Sequence, residues 1–296
     1  MTIFSRACIL VSLVFVSSSA ANALDFKQVD ALLVSSANYS ECQTTLESFL
    51  PQAADGKEKA EVLWRLSRLY FVRGQYQSTK SGRRELFGKG VEYASEAIKA
   101  DPSNPECYMW HSANVGRECQ THSMMEQAAA VPVLMDDMSA ILDKLGRTDY
   151  SAAWQALAEI YYNHPFKSND AAINFERKAA ATVPSGETRI STFTLLARML
   201  HERGWSASKR KEQMTRNSSL YSKSYKSNIE KYSYYDGSLG QSNKPVWSDK
   251  ALGEMSDADE ARAIAAYAES LYNRSKKTNI DKADFRELSE LTDSWK

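Results

Sequence analysis

Apolar residues along this chain recur with the period of an α-helix, and one helical phrase returns several times. In residues 60–76, Leu63, Leu66 and Tyr70 share a face, with the small Ser67 beside Leu66. Spacings of three and four stack such residues along one side of a helix. Gly74 ends that helix. A second helix over residues 90–101 stops at Asp101-Pro102. Proline lacks an N–H and disfavours helix in the residue before it. A helix starting at Pro105 carries Tyr108 where the first carries Leu63. Another over residues 151–162 carries Trp154, Leu157, Ala158 and Tyr161. Residues 170–183 form an Ala-rich helix ending before Pro184, and residues 188–204 bring Phe193, Leu196, Ala197 and Leu200. The matching positions Leu63, Tyr108, Trp154 and Phe193 are 45, 46 and 39 residues apart. Each unit has a small residue in mid-helix (Ser67, Ser112, Ala158 and Ala197), as close helix packing requires. Inserted loops are expected at residues 77–89, 118–127 and 163–169.

After residue 203 the pattern loosens. Residues 208–225 predict the second helix of the last unit, and residues 233–247 a polar loop. Ser256, followed by Asp257, Asp259 and Glu260, predicts a capped helix whose first turn is acidic. Ile264, Tyr267, Leu271 and Tyr272 give it an apolar face. A short helix over residues 281–291 completes the chain near Trp295. Capping the open end of the array is the expected role of these helices.

The first 23 residues have a different pattern. One positive charge precedes an almost purely apolar stretch over residues 7–16, followed by small residues and Ala21-Asn22-Ala23. This is the layout of a cleaved export signal. The alternative, a membrane anchor, needs about 20 apolar residues. Cleavage after Ala23 removes Cys8, which is badly placed for lipid attachment. Cys42, Cys107 and Cys119 remain, an odd number for an oxidising compartment. They fit either one disulfide and a thiol or three buried thiols. Cys107 and Cys119 share a predicted helix about 18 Å apart, so any bridge involves Cys42.

The repeated phrase over about residues 58–222 resembles the tetratricopeptide (TPR) superfamily, whose units are usually about 34 residues long. Longer units here imply insertions. The resemblance implies an all-α, TPR-like helical-hairpin solenoid of about four irregular repeats. It divides the chain into a signal (1–23), an N-terminal capping region (24–57), the repeats (58–225), a polar loop (226–255) and C-terminal capping helices (256–296). Residues 128–180, with Leu145-Gly146 before Tyr150, His164-Pro165 in a short loop and Asn169-Asp170 before the next Ala-rich helix, also resemble the T component of TPR-associated TRAP transporters. That family has Gly-Asp where this chain has Asn169-Asp170 and often carries a lipid-attachment cysteine that is missing here.

In a TPR solenoid the first helix of each pair lines the concave side. The resemblance places Glu61, Trp64, Arg68 and Phe71 there, then Met109, Ala113 and Arg117, then Gln155, Glu159 and Tyr162, and finally Thr194, Arg198 and His201. Spacings of three and four keep each set on one face. Arginine forks suit carboxylates and aromatics anchor apolar partners. Trp64 and Phe71 could equally pack against the inserted segments.

The chain offers little catalytic pattern. His111, His122, His164 and His201 form no H-E-x-x-H, and Cys119 with His122 lacks a second pair of metal ligands. Nucleophile elbow, Walker A and dinucleotide fingerprints are missing. Asp136-Asp137 reads as a solvated helix face. Lys+Arg and Asp+Glu balance at 37 each, which gives no general attraction to nucleic acid or an anionic membrane. Aromatics near residues 221–235 could stack on bases, but export and charge balance argue against it. The expectation is an exported (periplasmic) scaffold, without catalysis, metal or cofactor, that binds a protein or peptide in a concave Arg/aromatic groove. The alternative is a TRAP-transporter accessory subunit binding a small apolar or carboxylate ligand. Expressed in an export-competent bacterium, the chain should yield mature protein whose first residue is Leu24 by N-terminal sequencing; retention of Met1 sinks the signal assignment.

Overall fold

A computed structural model describes residues 24–35, 38–164, 167–237 and 244–295. The described residues contain helices and no strand. They are α1 (Lys27–Ser35), α2 (Tyr39–Phe49), α3 (Gly56–Gln75), α4 (Lys80–Ala100), α5 (Pro105–Cys119), α6 (Met124–Ser139), α7 (Ser151–Asn163), α8 (Asn169–Ala181), α9 (Ile190–Arg203), α10 (Ala207–Tyr221), α11 (Asn228–Tyr232), α12 (Asp257–Arg274) and α13 (Asn279–Asp293). No described helix is long and apolar enough to cross a membrane. The expected signal, residues 1–23, lies outside the described residues.

Local chemistry sets the helix ends. Asn38, Asp55, Thr79, Asn104, Ser123, Ser168, Ser206 and Ser256 each cap a helix by accepting a hydrogen bond from a first-turn N–H. One of these caps corrects the sequence reading. Thr79 starts α4 at Lys80, so most of the segment expected as a loop over 77–89 is helical. Phe87 explains the extension. It is buried against Gly74 of α3, where an added Cβ would come within 2.5 Å of its ring. Burying such a side chain stabilises by roughly 1.5–3 kcal/mol, comparable with the helix cost of Gly82 and Gly88 at roughly 1 kcal/mol each.

Consecutive helices pack as antiparallel hairpins, α3 with α4 and α7 with α8, and successive hairpins stack to make an all-α solenoid. The repeated small positions lie at the crossings. Ser67, Ser112, Ala158 and Ala197 are all buried. Ser67 Oγ donates to Gly90 O of α4 at 2.8 Å, and Asn114 Nδ2 of α5 donates to Ser67 Oγ at 3.0 Å. Gly90 is required there, since a Cβ would overlap the Asn114 amide at 2.1 Å. The largest core lies between α6 and α13, where Trp154 stacks on Phe175 and Phe193 meets Tyr267 edge-on.

The last unit departs from the expected hairpin. A helix does form at 207–221, but α9 packs along α12, while α10 packs against the turn Leu252–Glu254. Apolar supply explains the exchange. α12 buries Ala261, Ile264, Ala265 and Ala268 along one face, whereas α10 buries only Met214 among its aliphatics, alongside Arg210 and Asn217. Helix α13 then lies beside α9 and touches α1, so the two ends of the solenoid meet.

A buried ionic cluster holds this rearrangement. Both guanidinium nitrogens of Arg177 (α8) donate to Glu260 (α12) at 2.6 and 2.5 Å, and Arg210 (α10) donates to the same carboxylate at 2.5 Å. Asp257 takes two hydrogen bonds from Arg203 at 2.8 Å and one from Trp205 N at 2.9 Å. Asp257 and Glu260 have no exposed surface. Burial alone would raise the Glu260 carboxyl; Arg177 and Arg210 outweigh it and hold the group below its ordinary value. Glu260 therefore stabilises the fold fully above the ordinary carboxylate range, and that contribution is lost as pH falls through its depressed folded-state value. Glu260→Ala leaves the buried Arg177 guanidinium without its bonded carboxylate and leaves Arg210 only Asp257, at 3.2 Å, and should cost about 3–5 kcal/mol in urea unfolding; a change under 1 kcal/mol would show that the cluster holds nothing together.

Candidate functional site

Three register positions repeat along the inner helices: the first, fifth and eighth residues after Leu63, Tyr108, Trp154 and Phe193, except that in the second unit the eighth is Gly116 and the expected Arg117 is the ninth. The first position is mostly core. Trp64 is only 7% exposed and packs with Ala60, Leu63, Ala97 and Cys107 under the guanidinium of Arg65. Thr194 is buried, its hydroxyl donating to Ile190 O. Neither can meet a ligand, which corrects both expectations. Close stacking of α4 and α5 on α3 covers Trp64, and α9 is buried on several sides. Met109 is half-buried against the main core, and Gln155 is half-buried and accepts a hydrogen bond from Thr192 Oγ1 at 2.8 Å.

At the fifth position are Arg68, Ala113, Glu159 and Arg198. Arg68 is half-buried, with its guanidinium 5.4 Å from the ring of Trp110. Burial lowers its pKa, against the raising fields of Asp30 and Glu106. Glu159 is open to solvent yet walled by protein, and this partial loss of hydration pushes its carboxyl up, opposed chiefly by Arg117. Arg117 is exposed and donates to Gln120 Oε1 at 3.2 Å.

The fifth and eighth positions of the last unit are engaged within the chain. Arg198 donates to Glu287 of α13 at 2.7 Å, and His201 stacks on Trp295 with centroids 4.6 Å apart. Tyr162 donates to Glu202 of α9 at 2.5 Å. Asp281 and Asp284 reach Thr188 Oγ1 and Ser191 N, so α13 runs parallel to α9 with an acidic side turned toward it. Asp284 is pushed up to about 6 by burial. The groove expected along all four units is thus covered by α13 at its C-terminal end. Of the remaining positions, Arg68 and Phe71 meet at Trp110, while Arg117 acts on Glu159 through its charge. Phe71 packs on Phe87 and Trp110, so its expected role as an anchor is shared with a wall.

Trp110 belongs to this site and was not expected from the sequence, because it follows Met109 outside the repeated register. Its Nε1 donates to Glu106 Oε2 at 3.1 Å, and Tyr150 donates to Glu106 Oε1 at 2.5 Å. Asp137, expected on a solvated face, is instead 6% exposed and bonded to His111 Nδ1 at 2.7 Å. Desolvation raises its pKa, with His111 opposing. Cys42, Cys107 and Cys119 are free thiols, and burial pushes Cys42 up to about 11.

Behind Glu159, Glu176 of α8 is fully buried, and neither carboxyl oxygen has a hydrogen-bond partner among the described residues. Burial raises its pKa well above the ordinary range, reinforced by the charge of Glu159. The folded chain therefore holds this proton longer than the unfolded chain does. Stability is full below the unfolded-state value and declines as pH rises toward the folded one, by at most about 1.4 kcal/mol per pH unit. Glu176→Gln should remove that slope: urea midpoints of variant and parent diverge between pH 5 and pH 8, the variant being the more stable. Parallel pH profiles would mean that Glu176 is ionised in the fold.

Residues 25–133, under half of the chain, match the family model described as "RMD1-3: Regulator of microtubule dynamics protein 1-3". The matched stretch runs from just before α1 into α6 and includes Arg68, Phe71, Trp110 and Arg117. Among curated proteins none matches the sequence.

Proposed function

We propose that this chain is a non-catalytic, TPR-like scaffold that binds a protein or peptide partner on the N-terminal part of its concave face, around Arg68, Trp110, Arg117 and Glu159. The observation carrying this reading is a contrast among the arginines of the inner helices. Arg198 is satisfied by the chain's own α13, whereas Arg68 and Arg117 have no carboxylate partner among the described residues. Solenoids expose such surfaces for partners, and aromatic–arginine pairs are common anchors in them. The matched family's printed description concerns the regulation of microtubules, which are protein polymers. It favours a protein ligand over a small molecule.

Export to the periplasm is a separate part of the proposal and rests on residues 1–23. Microtubules are cytoplasmic polymers that an exported chain does not meet, so compartment and partner need separate tests. A second reading, a TRAP-type accessory subunit with a small ligand, draws on the contact between α1 and α13. That contact brings the solenoid ends together and favours a compact occupant over a long one.

A photo-crosslinking amino acid placed at Ala113, at the fifth position of the second unit, should capture discrete protein bands in the source cells. The same group at Lys223, beyond α10 on the outside, should not. Equal labelling at both sites, or none at Ala113, would remove the protein-partner reading.

A further inference from the structure

The described arginines of the inner helices are committed to carboxylates or side-chain acceptors, with one exception. Arg65 donates to both oxygens of Asp30 at 3.0 and 3.1 Å and to Glu61 Oε2 at 2.6 Å. Arg73 reaches Gln43, Arg117 reaches Gln120, Arg198 holds Glu287 and Arg203 holds Asp257. Arg68, one turn beyond Glu61 and Arg65 on α3, makes no hydrogen bond or ion pair among the described residues. Its single described contact is the face of Trp110.

The surrounding acids explain why it stays free. Asp30 is occupied by Arg65. Glu61 is divided between Arg65 and Asn104 Nδ2, the latter at 2.7 Å. Glu106 accepts from Trp110 and Tyr150. Asp30 and Glu106 supply a favourable field, which opposes the desolvation of the half-buried guanidinium, while each of their oxygens accepts from another donor. A planar fork of N–H groups is left without an acceptor among the described residues, beside an aromatic ring.

The same chain shows what such a position takes. Arg68 and Arg198 occupy the same register position, the fifth residue after Leu63 and Phe193. At Arg198 the occupant is the carboxylate of Glu287, delivered by α13. We infer that Arg68 and Trp110 form a carboxylate-binding subsite, filled by a ligand acid in the way Glu287 fills Arg198. The acid can be a side chain of a polypeptide or a free organic acid; both present the same planar pair of oxygens. The inference rests on the concave-face reading above and names the chemistry of its occupant.

The test uses the full mature chain and two probes: the capped peptide acetyl-Ala-Glu-Ala-Glu-Ala-amide and succinate. Arginine Nε–Hε resonances are followed by NMR, with Arg68 assigned from Arg68→Lys. Saturable shifts of the Arg68 signal are expected with a carboxylate probe, and no shift with the peptide's Gln counterpart. Arg68→Gln should weaken binding at least tenfold, and Arg68→Lys, which keeps the charge but loses the fork, should also weaken it. Thermal melting of both variants identifies any that fail to fold, and Trp110→Leu supplies an independent variant. Response to the peptide alone assigns a polypeptide source, and response to succinate alone assigns a free acid. Equal shifts with the Glu and Gln peptides, binding retained in Arg68→Gln, or no response to either acid would overturn the subsite. Crosslinking at Ala113 is unaffected by that result, so the subsite and the partner reading fail separately.

Discussion

Glu260 is the constraint on which the C-terminal half of this protein depends. One carboxylate with no solvent contact binds Arg177 of α8 and Arg210 of α10 while belonging to α12. Three helices far apart in sequence converge on it, and Asp257, one turn earlier, adds Arg203 from the end of α9. Buried ions are costly to desolvate, and such a cluster is tolerated because every partner is present. Its effect is on specificity of arrangement. The observed order puts Arg210 against both Glu260 and the carbonyls at Met255 and Ser256.

α12 takes the hairpin position, and α13, joined to it by a short turn, lies alongside α9. That placement decides the concave face. Glu287 and Trp295 occupy Arg198 and His201, and contact with α1 draws the ends together. On α3, α5 and α7, Arg68 stands over Trp110 and the charge of Arg117 opposes the upward shift of Glu159. The helix that closes the end of the solenoid thus also engages the expected groove residues of the last unit.

Much of the helical architecture was legible beforehand. The small residues Ser67, Ser112, Ala158 and Ala197 are all buried at helix crossings, because a side chain larger than these would hold the helices apart. Ser256 caps its helix as its spacing with Asp259 predicts. The reading failed where a residue's fate depended on a distant element. Trp64 was assigned to the groove from its helical face, yet the packing of α4 and α5 against α3 buries it. Asp137 was assigned to solvent, yet His111 of the neighbouring helix claims it. Segment 77–89 was read as a loop, yet Gly74 leaves room for Phe87 and so lets the helix extend.

Periodicity, caps and breakers by themselves determined that this chain is helical, where most helices begin and end, and which small positions allow close crossing. These are local properties, set by hydrogen bonds and side chains within a few residues. Tertiary structure alone decided that α12 replaces α10 beside α9, that α13 occupies the inner positions of the last unit, and that Arg68 has no carboxylate partner among the described residues. Those outcomes turn on which of several similar helices buries the most apolar surface and satisfies the buried charges, a competition between segments that no local window contains.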